Sequence, residues 1–140
     1  TNGFEIITDI LSFEHQTILF KIILPILKKY NAYCDSTCGF HIHIDKTPEL
    51  IEKTKLIFQP QNQNTLELIG LRSMNSYCAI NTDCWSKYYA ANIEGHEKTI
   101  EFRFFRCTVI LKNVIKYLLF VRDVIEMELK EISKKYQLEI

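Results

Sequence analysis

The sequence predicts an α+β fold, with an antiparallel β-sheet, helices packed on one face of the sheet and a long C-terminal helix. Two stretches, 38–45 and 98–106, alternate apolar and polar residues, which is typical of strands that bury one face. Around them, apolar residues recur at helical spacing, most clearly over 108–136. Because the 140 residues include 47% hydrophobic ones, we expect a single domain over 1–140 with a packed core.

Local signals predict the other elements. Ser12 and Thr47 are typical helix N-caps, Pro48 suits a first helical position, and Thr108 is predicted to cap the last helix. Pro25 is expected to kink or break the first helix one turn before its end. In chain order we predict a strand over 3–10, a helix over 12–29, the strand 38–45, a helix over 47–58, a helix or a strand over 65–74, a strand over 76–83, a loop or hairpin beside the site over 83–97, the strand 98–106 and a helix over 108–136.

The polar faces of the two alternating strands carry the candidate site. Alternate side chains of a strand point the same way, so His41, His43 and Asp45 share one face, as do Glu101 and Arg103. If both strands belong to one sheet, these groups form one patch. Imidazole and carboxylate groups bind cations, and guanidinium groups bind phosphate oxygens. The pattern predicts a metal and phosphate site, with a solvent-facing network of ion pairs as the alternative.

Charge and cysteine content restrict the partners and the location. Lys plus Arg equal Asp plus Glu at 17 each, so we expect neither a nucleic-acid partner nor a membrane partner. Five cysteines without a C-x-x-C pair predict reduced thiols and a cytoplasmic location. A zinc site of Cys34 and Cys38 with His41 and His43 is an alternative. Because the chain begins with Thr1, we expect it to be processed or to belong to a longer chain.

Four stretches, in this order, resemble the amidoligase family, which groups with glutamine synthetase and glutamate–cysteine ligase. They are a G-x-E segment at 3–8, a G-hydrophobic-H-hydrophobic-H strand at 38–44, a tyrosine-to-asparagine strand at 77–81 and a T-I-E-F-R strand at 99–108. The resemblance implies a sheet like that of the glutamine synthetase catalytic domain. It also implies ATP-dependent amide-bond formation between a small-molecule or peptide carboxylate and an amine, with ATP and Mg²⁺ or Mn²⁺ as cofactors.

The resemblance also implies residue roles. His41 and Glu101 would hold a divalent metal ion, and Glu5 would belong to a second metal position. His43 and Arg103 would contact the ATP phosphates, and Asn81 would line the nucleotide site on the substrate side. Glu101 and Arg103 would be the catalytic residues, since metal ions and Arg stabilise a phosphoryl group in transfer.

The chain departs from the family pattern at its start. Amidoligases open with a strand that carries a Glu-x-Glu pair, and here no such pair lies ahead of the G-x-E segment. The only similar pair, in 126–128, lies in a predicted helix, where positions i and i+2 diverge. We therefore expect an upstream segment or a partner chain to complete the sheet beside Glu5. We also expect the 140-residue chain alone to be a weak or inactive ligase.

Two other functions stay open at this point. A His-hydrophobic-His strand also occurs in rolling-circle nucleases, which would need Tyr88, Tyr89 or Tyr117 as nucleophile. The other alternative is a non-catalytic scaffold or interaction module on the ligase fold. His96, in the loop before the second alternating strand, is predicted to be a surface residue rather than a ligand.

Overall fold

The structure is a computed structural model that describes residues 3–75, 78–80 and 88–140. Its α+β architecture confirms the predicted fold class, with a three-stranded antiparallel sheet and five α-helices in the described residues. The elements are α1 (Phe13–Lys29), β1 (Gly39–Asp45), α2 (Pro48–Ile57), a 3₁₀ turn (Pro60–Asn62), α3 (Gln63–Gly70), β2 (Ala91–Asn92), β3 (Thr99–Arg106), α4 (Leu111–Glu126) and α5 (Leu129–Tyr136).

The second alternating stretch forms the central strand, so the sheet order is β1-β3-β2. β1 pairs with β3 from Gly39 opposite Arg106 to Asp45 opposite Thr99. The short β2 pairs with the other edge of β3. This register places His43 directly opposite Glu101. The two candidate strands are therefore neighbours in one sheet.

A β-bulge interrupts this pairing beside the candidate site. Phe40 lies opposite Phe105 and Ile42 opposite Phe102, so two residues of β3 face the single residue His41 of β1. The extra residue allows the adjacent side chains of Phe104 and Phe105 both to be buried. Strict alternation predicted that only one of them would face the core. The bulge therefore explains how two adjacent residues of the F-R-F-F stretch can both face the core.

Aromatic side chains dominate the core between β3 and the helices. The Phe58 ring, just after α2, lies 5.6 Å from that of Phe102. The Phe120 ring of α4 lies 5.7 Å from that of Phe104, and Phe105 packs on Tyr117 at 4.6 Å. All of these side chains are almost fully buried. Burying such large rings strongly stabilises the packing of α2 and α4 on this face of the sheet.

The predicted start of α1 is confirmed, and its predicted break is not. Ser12 Oγ accepts a hydrogen bond from the His15 N–H at 3.2 Å, as an N-cap does. The helix continues through Pro25 and ends at Lys29. It packs on α4 around the buried Leu24, and this contact holds the last turn in place although proline lacks an N–H.

The strand predicted over 3–10 is absent. This segment has no strand partner among the described residues, and Phe4 and Ile7 are 74% and 83% exposed. Alternation stabilises a strand only when one face is buried and a neighbouring strand accepts its hydrogen bonds. Neither condition holds here. Glu5 therefore belongs to no strand, and this segment does not form the sheet edge expected beside it. The outer edge of β1 has no partner strand in the described residues.

The single helix predicted over 108–136 is two helices. The chain is extended between α4 and α5, with ψ of 151° at Met127 and 153° at Glu128. The buried Lys53 ammonium explains the break, because it donates to the carbonyls of Val124 at 3.2 Å, Ile125 at 3.4 Å and Met127 at 2.8 Å. These bonds satisfy carbonyls that a helix end leaves without partners.

Smaller corrections concern the ends of two helices and a strand. The N-cap position of α4 is Ile110 rather than Thr108, whose hydroxyl oxygen accepts from the Ile110 N–H at 3.0 Å. The helix predicted over 65–74 lies at Gln63–Gly70. The strand predicted over 76–83 falls largely outside the described residues. Within 78–80, Cys78 and Ala79 form only isolated bridges.

The cysteines differ from the prediction of reduced thiols. Cys34 and Cys107 form a disulfide, with Cα atoms 5.8 Å apart, and Cys38 and Cys78 are free thiols. Because the Cys34 sulfur is bonded to Cys107, the proposed zinc site of Cys34 and Cys38 with the β1 histidines is wrong for this state. Sequence spacing could not reveal a pair that is separated by 73 residues. None of the described helices is both long enough and apolar enough to span a bilayer.

Candidate metal and phosphate site on the sheet

The site is built around the carboxylate of Glu101, on the face of β3 away from the aromatic core. Its side chain is only 8% exposed. Arg103 NH1 donates to Oε1 at 3.0 Å, and His43 Nε2 lies 3.0 Å from Oε2. The strand alternation that placed Glu101 and Arg103 on one face, and the register that placed His43 opposite Glu101, together produce this geometry.

Two further imidazoles surround the same carboxylate. His41 Nδ1 lies 3.6 Å from Oε2, and His96 Nε2 lies 3.6 Å from Oε1. The prediction that His41 and Glu101 lie on the same sheet face is therefore confirmed. We call His41, His43, His96, Glu101 and Arg103 the histidine cluster.

His96 reaches the cluster from the connection between β2 and β3. Lys46, just after β1, donates its ammonium to the His96 carbonyl at 2.9 Å. The Asn92 side chain accepts from the Gly95 N–H at 2.8 Å and so fixes the turn before it. The sequence analysis placed His96 on the surface. The register of β2 on β3, with Asn92 opposite Glu101, brings this connection beside the carboxylate, and the sequence does not show that register.

The surroundings keep Glu101 ionised. Burial alone would raise the pKa of its carboxyl, but hydrogen bonds from His43 and Arg103 and the charges of Arg103 and His41 outweigh it. The pKa of Glu101 is therefore held far below its usual range. The site contains a permanent buried carboxylate at any physiological pH.

His41 is shifted toward its neutral form. Burial is the main cause that lowers its pKa, and the nearby guanidiniums of Arg103 and Arg72 act in the same direction, against the opposing effect of Glu101. A neutral imidazole has a free lone pair and can bind a metal ion. The ionised Glu101 carboxylate and the neutral His41 imidazole both favour cation binding at neutral pH.

Three groups of the cluster can share one metal ion. One ligand atom each from His43, His96 and Glu101 can be chosen so that all three lie within 4.8 Å of one another. Two imidazoles and one carboxylate are a common ligand set for transition metals. His43 Nδ1 lies 3.1 Å from Thr99 Oγ1. When Nε2 binds a metal ion, the ring proton can therefore lie on Nδ1 and donate a hydrogen bond to that hydroxyl oxygen. The ligand chemistry fits a divalent cation.

Guanidiniums make the site attractive for anions too. Arg72 NH1 donates to the Arg103 carbonyl at 3.3 Å, which brings a second guanidinium toward the cluster. Arg103 Nε is buried and has no hydrogen-bond partner in the described part of the chain. Arg103 also lies 6.0 Å from the centre of the Tyr88 ring. One carboxylate thus faces two guanidiniums, and this excess of positive charge suits phosphate.

The other predicted site residues lie elsewhere. Glu5 is exposed in the unpaired segment 3–10, and Asp45 is exposed at the far end of β1; neither joins the metal-ligand group found in the described residues. Asn81 lies outside the described residues. Tyr117, one of the possible nuclease nucleophiles, donates to the Arg106 carbonyl at 2.8 Å, and burial raises its pKa to about 12. It is unsuited to act as a nucleophile.

Comparisons with known proteins found no match to this chain among family models, curated proteins or solved structures. The amidoligase resemblance is therefore a prediction from the four sequence motifs.

Proposed function

We propose that this chain is an ATP-dependent carboxylate–amine ligase domain of the amidoligase kind. The observation that carries the proposal is the convergence of cation ligands and a guanidinium on one carboxylate. His43 and Arg103 each lie 3.0 Å from Glu101, and His41 and His96 each lie 3.6 Å from it. Metal–ATP requires both kinds of group side by side.

In this proposal, Glu101, His43 and His96 bind a divalent cation, because their ligand atoms lie within 4.8 Å of one another. The motifs imply His41 as the ligand, and it lies beside this group, 3.6 Å from the Glu101 carboxylate. Because imidazole nitrogen is a poor ligand for Mg²⁺, which prefers oxygen, we favour Mn²⁺ over Mg²⁺. The bound cation would neutralise charge on the ATP phosphates. Arg103 would hold the phosphate that is transferred to the substrate carboxylate, the role that the motifs imply for Arg103 together with His43. An amine would then displace that phosphate from the acyl phosphate, with Asn81 on the substrate side.

A specific observation favours a non-catalytic module as the second candidate. Glu101 is the only carboxylate in the metal-ligand group of the described residues, and the exposed Glu5 does not belong to that group. Phosphoryl transfer with more than one cation needs several acidic oxygens. We therefore keep the prediction that an upstream segment or a partner chain supplies further carboxylates, and that this chain alone turns over weakly or not at all.

We also propose a cytoplasmic location, based on the odd number of five cysteines. That compartment keeps most thiols reduced. The Cys34–Cys107 pair would then alternate between a dithiol and a disulfide. Alkylation of free thiols in intact cells, followed by measurement of the bonded fraction, tests this location.

Calorimetry with ATP and Mn²⁺ tests the proposed function. Arg103→Gln should weaken ATP binding by about tenfold to a hundredfold, because a charged hydrogen bond contributes about 1.5–3 kcal/mol. Arg106→Gln is the matched control, since Arg106 is exposed at the end of the same strand and outside the cluster. It should bind ATP like the wild type.

Metal binding is measured separately, by the loss of the paramagnetic resonance signal of free Mn²⁺. His96→Asn and Glu101→Gln should each weaken Mn²⁺ binding by at least tenfold. If wild-type protein binds neither Mn²⁺ nor Mn²⁺–ATP at millimolar concentrations, the ligase proposal is wrong and the non-catalytic module is favoured. If it binds Mn²⁺ but not the nucleotide, the proposed metal site is supported and the proposed ATP site is wrong.

A further inference from the structure

Three cysteines meet where β1 begins and β3 ends. Cys34 and Cys107 are joined in a disulfide, and Cys38, the residue before β1, is a free and partly exposed thiol. A thiol beside a disulfide is the arrangement that thiol–disulfide exchange requires.

The register of the sheet brings Cys38 to Cys107. The pairing ends with Gly39 opposite Arg106. Continuing the same antiparallel register by one residue would set Cys38 opposite Cys107. Residues directly opposite in an antiparallel pair have Cβ atoms about 4.5–5.5 Å apart, close to the spacing that a disulfide spans. Cys107 therefore has two candidate partners, on either side of a short loop.

That loop is held in a compact shape. The Asp35 carboxylate accepts hydrogen bonds from the Thr37 N–H at 2.8 Å and the Cys38 thiol at 3.5 Å. The Cys38 N–H donates to the Asp35 carbonyl at 3.2 Å. These bonds close a turn between Cys34 and Cys38, so both sulfurs are kept at the same end of the sheet.

We propose that Cys34, Cys38 and Cys107 form an intramolecular disulfide-exchange site. The Cys38 thiolate attacks the Cys107 sulfur, a Cys38–Cys107 bond forms, the Cys34–Cys107 bond breaks, and Cys34 leaves as the thiolate. One disulfide and one thiol are present before and after the step, so it needs no oxidant or reductant.

The other described thiol serves as an internal control. Cys78 is fully buried, and burial raises its pKa to about 11, so its reactive thiolate is scarce at neutral pH. We expect it to remain a free thiol throughout. Exchange is then restricted to the three cysteines at the sheet end.

The exchange site adjoins the histidine cluster. A Cβ atom on Gly39 would lie 2.9 Å from His41 Nε2 and 3.1 Å from Arg72 NH1, so the backbone next to Cys38 is in close contact with the His41 side chain. When Cys107 is bonded to Cys38 instead of Cys34, the disulfide would restrain the backbone at Cys38, one residue before the contact between Gly39 and His41. The proposal does not depend on the ligase function.

Peptide mapping tests the exchange in the full 140-residue chain. All proteins carry Cys84→Ser, which leaves Cys78 as the sole cysteine outside the exchange site, and are oxidised with glutathione disulfide. They are then freed of the oxidant, incubated without air at pH 6 and pH 8.5, quenched with acid and alkylated. Cleavage before Asp35 separates Cys34 from Cys38, and trypsin releases Cys107 in its own peptide. Fragments are identified by mass.

The parent protein should accumulate Cys38–Cys107 peptide at the expense of Cys34–Cys107, faster at pH 8.5 because the thiolate is the attacking species. Cys34→Ser should form Cys38–Cys107, and Cys38→Ser should retain only Cys34–Cys107. The proposal is overturned if Cys38 stays alkylatable in the parent after hours at pH 8.5. It is equally overturned if Cys107 in Cys34→Ser remains a thiol or pairs with Cys78 or a second molecule.

Discussion

Replacing Glu101 with Gln should reveal how strongly the buried carboxylate stabilises the fold. The change keeps the shape of the side chain and removes its charge. Arg103, only 18% exposed, loses its counter-ion, and His43 loses a charged acceptor. Removing one partner of a buried ion pair costs about 3–5 kcal/mol, and the residual exposure of Arg103 reduces this to about 2–3 kcal/mol at pH 7. The melting temperature should fall by roughly 10 °C.

The pH dependence gives this prediction its sign. The pKa of Glu101 is lower in the folded state than its ordinary value of 4.5, so the unfolded chain takes up a proton first as the pH falls. The stabilisation that the Glu101 carboxylate provides is complete well above pH 4.5 and shrinks by about 1.4 kcal/mol for each pH unit below 4.5. The difference between wild type and Glu101→Gln should therefore be about 1.4 kcal/mol smaller at pH 3.5 than at pH 7.

The assay is urea unfolding followed by far-ultraviolet circular dichroism, with a chelator present to exclude metal effects. Glu52→Gln is the matched control, because that side chain is 72% exposed and its ion pair among the described residues is with Lys55 on the same helix. It should change the free energy of unfolding by less than about 0.5 kcal/mol. The reasoning is refuted if Glu101→Gln is as stable as this control at pH 7, or if its deficit is the same at both pH values.

Three other predictions concern helix ends, strand packing and turnover. Lys53→Met should lower the free energy of unfolding by about 2–3 kcal/mol, because three carbonyls at the end of α4 lose a buried donor. The Lys55 side chain is 52% exposed, so Lys55→Met should change thermal unfolding little. Gly70→Ala should cost at least about 2 kcal/mol because the added methyl would meet the backbone of β3, whereas nothing lies within 4 Å of Gly3 and its alanine variant should unfold like the wild type. The purified chain with ATP, Mn²⁺ and candidate carboxylates and amines should release phosphate at most slightly above the Glu101→Gln background, and rapid release that depends on both substrates would contradict this prediction.

Local sequence patterns were sufficient for the elements whose signals lie within a few residues. The N-cap of α1 and the start of α2 follow from Ser12 and from Thr47 with its following proline, and both are present. The alternation in β1 and β3 assigned their polar faces, because side-chain direction in a strand depends only on position. His41, His43, Glu101 and Arg103 are therefore neighbours, as predicted.

The sequence predictions were wrong where a residue far away in the chain determines the local structure. Lys53 ends α4 from another helix, so a continuous apolar stripe concealed a break. The segment 3–10 alternates like a strand, but no described strand offers it a ladder. Cys34 and Cys107 meet because β1 and β3 are paired, which spacing along the chain does not reveal.

The sequence by itself determined the fold class, the two strands of the site and which of their side chains share a face, since these depend on local periodicity. Tertiary structure decided the register that places His43 opposite Glu101, the bulge opposite His41 and the entry of His96 into the cluster. Hydrogen-bond ladders and turn contacts between residues far apart in the chain set all three. The electrostatic character of the site has the same origin, because the low pKa of Glu101 depends on donors brought together only by folding.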